Sequence, residues 1–251
     1  MYKNDRLNLI LEVLGRRKKM SVKELQSITY ASTSTLRRDI ITLENDHKII
    51  RKYGQVELVK SKNIEFPYLF RKQENEQAKK QIADLAVDFV GDNMALFLDS
   101  STTVTQMIPF LAKYKHLIVI TNGIYDAIQL NNMPNIKTMV TSGRLEPGSG
   151  SILGNVAVEY LNNFRADLCF ISCSSVDNQS IYMSNEEQAS VKRRMQESSK
   201  QTILLCDASK IGRTDYFRLN DFSTISAFVT DAKPDQSLIT SLAESDVELV
   251  Y

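Results

Sequence analysis

Apolar positions recur at helical spacing through the first sixty residues and in short runs afterwards. Leu7, Ile10, Leu11 and Leu14 fall at i, i+3, i+4 and i+7, the single stripe of an amphipathic helix. The basic run Arg16-Arg17-Lys18-Lys19 closes it, where cations complement the carbonyl end of the helix dipole. Ser21-Val22-Lys23-Glu24 reads as a capping box, in which hydroxyl and carboxylate each accept a free backbone N–H, so a short second helix is expected over 22–28. Ser32 is placed to cap a third helix, with Leu36, Ile40 and Leu43 as its buried stripe. Residues 49–59 then alternate around Gly54 as a hairpin, with Arg51 and Lys52 on its first arm.

Beyond residue 73 the pattern changes. Short apolar runs at 94–98, 117–121, 137–141, 168–172, 202–206, 226–230 and 247–251 are separated by helical patterns. Such alternation predicts an α/β domain with a mainly parallel sheet covered on both faces. The expected organisation is an N-terminal winged helix-turn-helix over 1–60, a linker over 61–73 and an α/β domain over 74–251.

Charge sharpens this division. The chain of 251 residues has a net charge of +1, but residues 1–60 hold 13 Lys and Arg against 7 Asp and Glu, which leaves 18 against 23 for the remainder. A basic head on an acidic body is expected when only the head meets a polyanion, although a solvated charged face would look the same. With 43% hydrophobic residues there is material for a core, so wholesale disorder is not expected. No run has the length of a membrane span, and the charged N-terminus is unlike a secretory signal, so the cytoplasm is the expected compartment. Cys169, Cys173, Cys206, His47 and His116 lack metal-site spacing; Cys169 and Cys173 share a strand face as small buried apolar residues. No cofactor or metal is expected.

Candidate chemistry falls into two groups. On the third helix, Thr33 with Arg37 and Ser34 with Arg38 lie at i, i+4, away from the buried stripe. Ser32, Thr33, Ser34, Thr35, Arg37 and Arg38, with Arg51 and Lys52 of the hairpin, supply the donors that a major-groove reader needs for bases and phosphates. From periodicity alone, a helical subdomain with a charged exterior remains an alternative. In the body, polar clusters follow strand ends: Asp99-Ser100-Ser101-Thr102-Thr103, Thr121-Asn122-Gly123, Thr141-Ser142-Gly143-Arg144, and Asp207-Ala208-Ser209-Lys210. Parallel sheets bind ligands at the carboxyl ends of their strands. Consecutive hydroxyls opening a helix at Asp99–Thr103 would make a phosphate cradle, and Arg144 could pair with an anion. Each cluster taken singly is more often a turn or helix cap. Gly148-Ser149-Gly150-Ser151 has the wrong spacing for a dinucleotide fingerprint and is expected to be a flexible loop. For Tyr2, Tyr30 and Tyr53, packing on the small helical core is the commoner arrangement.

Ser32-x-x-Thr35-Leu36-Arg37-Arg38-Asp39-Ile40, followed by Leu43-Glu44 and Arg51-x-x-Gly54, resembles the N-terminal signature of the DeoR/GlpR family of bacterial sugar-metabolism repressors. The resemblance runs on through Arg71-x-x-x-Asn75-x-x-x-Lys79, Leu98 to Thr103, Thr121-Asn122, Gly143-Arg144-Leu145, Asn185-Glu186-Glu187-Gln188-Ala189-x-x-Lys192 and Asp207-Ala208-Ser209-Lys210. It implies that the third helix enters the major groove of an operator. It also implies that the body is a sensor related to sugar-phosphate isomerases, with Glu186 and Lys192 beside Asp99–Thr103 at a phosphorylated-sugar pocket. The chain departs from the family in having Ser101 where Gly is common, Tyr53-Gly54-Gln55 where the wing usually has His-Gly-Gly, and Cys173 to Ile181 in place of a Gly-rich stretch. Side chains at these places restrict how closely an anion approaches the backbone.

The functional expectation is a repressor on double-stranded operator DNA, controlled by a phosphorylated sugar or similar metabolite and assembled as a homodimer or homotetramer. The alternative is an isomerase with a fused head, for which Asp99, Glu186, Glu187, Lys192, Asp207 and Lys210 would supply acid and base.

Overall fold

The computed structural model describes residues 2–17, 19–45, 48–58 and 66–251. Lys18, His47 and the 59–65 portion of the expected hairpin and linker lie outside the described residues. The chain divides into two compact units, Met1–Arg71 and Lys72–Tyr251.

In the first unit, α1 (Lys3–Arg17), β1 (Lys19–Ser21), α2 (Val22–Thr29), α3 (Thr33–Asn45), β2 (Ile49–Lys52) and β3 (Gln55–Leu58) form a winged helix-turn-helix. The periodic residues bury together: Ile10, Leu11, Leu14, Leu25, Leu36, Ile40 and Leu43 close on Met20, Ile49 and Val56. The capping box forms, with the Glu24 amide donating to Ser21 Oγ at 3.2 Å and the Ser21 amide donating to Glu24 at 2.8 Å. Ser32 caps α3 by accepting the Thr35 amide at 3.2 Å. Three features differ from expectation. The strand β1 adds a third member to the hairpin, in the order β1-β3-β2. Tyr2, Tyr30 and Tyr53 do not pack on the core; they are 86%, 91% and 105% exposed. The segment expected as linker ends in a helix, α4 (Tyr68–Gln73), whose Tyr68 and Phe70 are buried. A Cβ on Gly15 would lie 2.1 Å from the Phe70 ring, so the helix is anchored on α1.

The second unit is built on seven strands: β4 (Ala95–Leu98), β5 (Leu117–Thr121), β6 (Ile136–Val140), β9 (Ala166–Ser172), β12 (Ser199–Leu205), β14 (Ala227–Val229) and β15 (Glu248–Val250). Their order is β15-β14-β12-β9-β4-β5-β6, and every pair is parallel. These are the seven runs read from the sequence, with their ends shifted by at most three residues. Alternation along the strands fills two cores, one on each face. Leu96, Leu98, Leu168, Phe170, Ile203 and Leu205 meet α5 (Glu76–Ala86) and a 3₁₀ run over Val104–Lys113. Phe97, Cys169, Ile171, Leu204 and Phe228 meet α7 (Asn155–Leu161), α8 (Glu186–Glu197) and α9 (Gln236–Glu244). The helix α6 (Ile124–Leu130) joins β5 to β6.

Two small antiparallel elements had no periodic signature: the pair β7 (Arg144–Leu145) with β8 (Ile152–Leu153), and the sheet of β10 (Ser175–Val176), β11 (Ser180–Met183) and β13 (Phe217–Asp221). The first contains the Gly-rich segment, which is packed: Ser149 and Ser151 are 5% and 0% exposed, and a Cβ on Gly150 would lie 2.4 Å from Tyr125.

The strand order locates a candidate crevice. From β4 the chain runs outward through β5 to β6, then returns to the other side of β4 and runs outward again through β9, β12, β14 and β15. The direction of winding reverses between β4 and β9. Ligands of open parallel sheets sit outside the carboxyl ends of the strands at that reversal, where the connecting segments part to opposite faces.

Candidate functional site

The carboxyl ends of β4 and β9 are joined by a buried polar network. Asp99, directly after β4, accepts the Ser172 amide at 2.7 Å and the Ser101 amide at 2.8 Å. The Lys192 ammonium, reaching from α8, forms an ion pair with Asp99 and donates to the Ser172 carbonyl at 2.9 Å. From the other side, Lys210 lies 3.3 Å from Ser172 Oγ and 3.3 Å from Asp207. Asp207 in turn accepts from Asn75 at 3.1 Å and from the Ser209 hydroxyl. Two ammonium groups therefore converge on one strand-end serine at the topological reversal. The Lys210 side chain is 23% exposed and the Lys192 side chain 5%, so Lys210 is the one that faces solvent.

Electrostatics follow from this packing. Burial works against the Asp207 charge, but Lys210 and the Ser209 hydrogen bond outweigh it and hold the carboxyl below its usual range. Burial likewise disfavours the Lys210 ammonium, and Asp207 more than restores it, so that its pKa is raised. Next to the network, burial pushes Asp126 up to about 8, against hydrogen bonds from Thr105 at 2.6 Å and Thr121 at 2.9 Å.

The predicted residues separate into those that meet here and those that do not. Asp99, Lys192, Asp207 and Lys210 form the network. Ser100 joins Asn122, its amide donating to Asn122 Oδ1 at 3.1 Å, and its hydroxyl pairs with Ser151 at 2.7 Å. Thr121 serves Asp126. The Asp99–Thr103 segment takes a different form from the phosphate cradle expected of it. No α-helix opens at Asp99–Thr103; a 3₁₀ run starts at Val104, and the Ser100 and Ser101 amides are already engaged by Asn122 and Asp99. Ser101 Oγ caps that run by accepting the Val104 amide at 3.2 Å. Thr102 and Thr103 are buried, and Thr103 Oγ1 has no hydrogen-bond partner among the described residues.

Arg144 is not a free anion receptor. Its exposed guanidinium is held by Glu146 and, at 2.5 Å, by Glu187. Gly143 before it has φ +136°, and a Cβ there would lie 2.7 Å from the Leu153 carbonyl oxygen, so the turn requires glycine. Glu186 is exposed in the first turn of α8. Sequence reasoning gave no role to Ser172, Ser151, Asp126 or Asn75. Ser172 had a signal, as the last residue of a strand beside the chain reversal; Ser151 and Asp126 are brought in only by long-range packing.

In the first unit, Ser32, Thr33, Ser34, Arg37 and Arg38 are exposed along the start of α3, with Thr35 half-buried. Among the described residues no carboxylate pairs with Arg37, Arg38 or Lys52. Arg51 differs: it is ion-paired to Glu44 at the end of α3, and that hydrogen bond lowers the Glu44 pKa. The motif residue Asp39 points inward, 1% exposed, and accepts from Arg6 at 2.6 and 3.2 Å, which ties α3 to α1. No helix is long and apolar enough to cross a membrane, and no cluster of three or more metal-ligating side chains occurs among the described residues.

Comparison with known proteins matches both units. The DeoR-like helix-turn-helix domain covers residues 6–62, and the DeoR C terminal sensor domain covers residues 74–232. The chain belongs to the DeoR family. It is a DNA-binding transcriptional regulator with a sensor domain. The repressor GlcR of Bacillus subtilis is 30% identical over 255 residues, covering 100% of this chain and 96% of that protein. The L-fucose operon activator of Haemophilus influenzae is 32% identical over 248 residues, covering 98% and 99%. The glycerol-3-phosphate regulon repressor of Escherichia coli K12 is 26% identical over 250 residues, covering 99% of each. Among solved structures, ribose 5-phosphate isomerase A of Methanocaldococcus jannaschii overlaps 55% of each chain at 16% identity and TM-score 0.41.

Proposed function

We propose that this DeoR-family regulator is a cytoplasmic repressor of a sugar-metabolism operon, controlled by a phosphorylated sugar held at the carboxyl ends of β4 and β9. The observation that carries the reading is the convergence of Lys192 and Lys210 on Ser172 where the sheet reverses. An entering phosphate meets Lys210 first, and the hydroxyls of Ser100, Thr102 and Thr103 lie on the adjoining strand-end segment. The names of the fucose-operon and glycerol-3-phosphate-regulon relatives support a sugar or sugar-phosphate signal. On the DNA side, α3 enters the major groove, Arg37 and Arg38 contact bases or phosphates, and Lys52 contacts the backbone from the wing. A homodimer or homotetramer places two such helices on an inverted repeat.

The chain acts by binding rather than turnover. Asp99 is committed to three donors, and Asp207 to Lys210, Ser209 and Asn75, so neither stands open as a base for a sugar carbon.

The test is a thermal-shift panel on the full chain, using triose, pentose and hexose phosphates, their unphosphorylated parents and inorganic phosphate. A ligand that binds only the folded state raises its apparent stability. A shift confined to phosphorylated sugars and lost in Lys210→Met supports the reading; no shift from any compound, or turnover of one, overturns it. The DNA role is tested by selecting duplexes from a random pool. An inverted repeat bound with steep salt dependence is expected, since each neutralised phosphate releases counterions.

A further inference from the structure

Cys173 and Cys206 hold a position that the regulator's binding functions do not explain. They directly follow β9 and β12, one step past the last register pair of those parallel strands, Ser172 with Leu205. Neighbouring strands run about 4.8 Å apart, inside the roughly 4.4–6.8 Å Cα separation that a disulfide spans. The two side chains turn toward each other, with Sγ atoms 3.7 Å apart. Cys169 differs: its register neighbours are Phe97 and Thr202, neither a thiol.

We propose that Cys173 and Cys206 form a redox-active dithiol, oxidised reversibly to an intramolecular disulfide by a peroxide. Cys173 is the attacking sulfur. It is 6% exposed where Cys206 is fully buried; the hydrogen bond with Cys206 favours its thiolate most and burial opposes it, while the ammonium groups of Lys210 and Lys192 add to the first effect and Asp207 to the second. The hydrogen bond between the two sulfurs lowers the Cys173 pKa and raises that of Cys206. The Cys173 thiolate attacks one peroxide oxygen, the O–O bond breaks, and the departing hydroxide takes the Cys206 proton as water. Cys206 then attacks the Cys173 sulfenic sulfur, the S–O bond breaks, and the second oxygen leaves as hydroxide, which takes the proton given up when Cys173 first ionised. Two thiols and one peroxide become one disulfide and two waters, with two electrons passing from sulfur to oxygen. The bond would fasten the strand ends that carry Ser172 and Asp207. A bond of this kind in a reducing compartment is characteristically transient and sensory.

The experiment exposes the folded full chain to hydrogen peroxide, blocks remaining thiols with N-ethylmaleimide under denaturing conditions, and maps the peptides by mass spectrometry. Of the chain's three thiols, only Cys169 is expected to carry the label, with Cys173 and Cys206 in one linked peptide that dithiothreitol separates. In Cys206→Ala, dimedone is expected to trap a sulfenic acid on Cys173; in Cys173→Ala, peroxide is expected to leave Cys206 labelled. Three labelled thiols after oxidation, a linkage through Cys169, or linkage between chains would overturn the proposal. The wild-type map decides the matter even if a variant folds poorly. It is also independent of the sugar-phosphate reading, because no effector is added.

Discussion

Lys192 of α8 and Asp99 at the end of β4 form an ion pair across the sheet reversal, with side chains only 5% and 1% exposed. Taking one partner away leaves a charge buried without its counter-ion, which typically costs about 3–5 kcal/mol. Lys192→Met is therefore expected to lose that much stability in urea unfolding followed by circular dichroism. The double variant Lys192→Met with Asp99→Asn should fall short of the sum of the single losses by at least about 1 kcal/mol. Additive losses would mean that the pair contributes nothing as a pair.

Asp126 makes stability depend on pH in an unusual direction. The Thr105 hydroxyl has one proton but faces two acceptors, the Ser101 carbonyl at 2.8 Å and Asp126 at 2.6 Å. A protonated Asp126 resolves this by donating to Thr105. The folded chain keeps that proton to about pH 8, while the unfolded chain loses it near 3.8. Between those values the folded state binds the extra proton, so this group's stabilising contribution is present below about pH 4 and is lost as pH rises toward 8. Asp126→Asn mimics the protonated acid. It is expected to match the wild type near pH 4 and to exceed it by several kcal/mol near pH 8, on the order of 1.4 kcal/mol per pH unit at steepest. Parallel stability curves for the two proteins would refute the assignment.

On α3 the arginines should separate base reading from phosphate contact. Arg37→Ala or Arg38→Ala is expected to weaken binding to a selected duplex by about 1–3 kcal/mol and relax sequence preference where the arginine reads a base. Lys52→Ala should weaken binding to all sequences alike and lower the salt slope by about 1. Fluorescence anisotropy across a salt series distinguishes the two patterns. Unchanged affinity in all three variants would place the DNA surface elsewhere.

Tyr30 ends α2 in the left-handed conformation, φ 52°, while its side chain is 91% exposed. Holding an ordinary L-residue there costs roughly 1–2 kcal/mol, and no buried contact offsets it. Tyr30→Asn is expected to raise the thermal stability of the winged helix-turn-helix by about 1 kcal/mol, since Asn tolerates this backbone as a helix C-cap. If stability falls instead, the Tyr30 ring contributes contacts that its exposure conceals. A simultaneous drop in DNA affinity would show why the strain persists.

Much of the architecture was legible because it is written in local periodicity. The stripe of Leu36, Ile40 and Leu43, the capping box of Ser21 and Glu24, and the seven apolar runs each depend on residues a few positions apart. The placing of polar residues at strand ends was legible for a related reason, since Asp99, Asn122 and Asp207 directly follow apolar runs. Order among the strands was not legible: nothing local says that β9 pairs with β4 rather than β6, and that pairing creates the crevice.

By itself, then, the sequence determined the main helices of the head, the seven strands of the parallel sheet and the basic charge of the head, because hydrophobic period and helix capping act over one or two turns of chain. Tertiary structure alone decided that Lys192 meets Asp99 across 93 positions, that Arg144 is held by Glu187, that Asp126 keeps its proton, and that Cys206 rather than Cys169 is the partner of Cys173. Those relations depend on burial and on which strands become neighbours, and only the completed sheet supplies both.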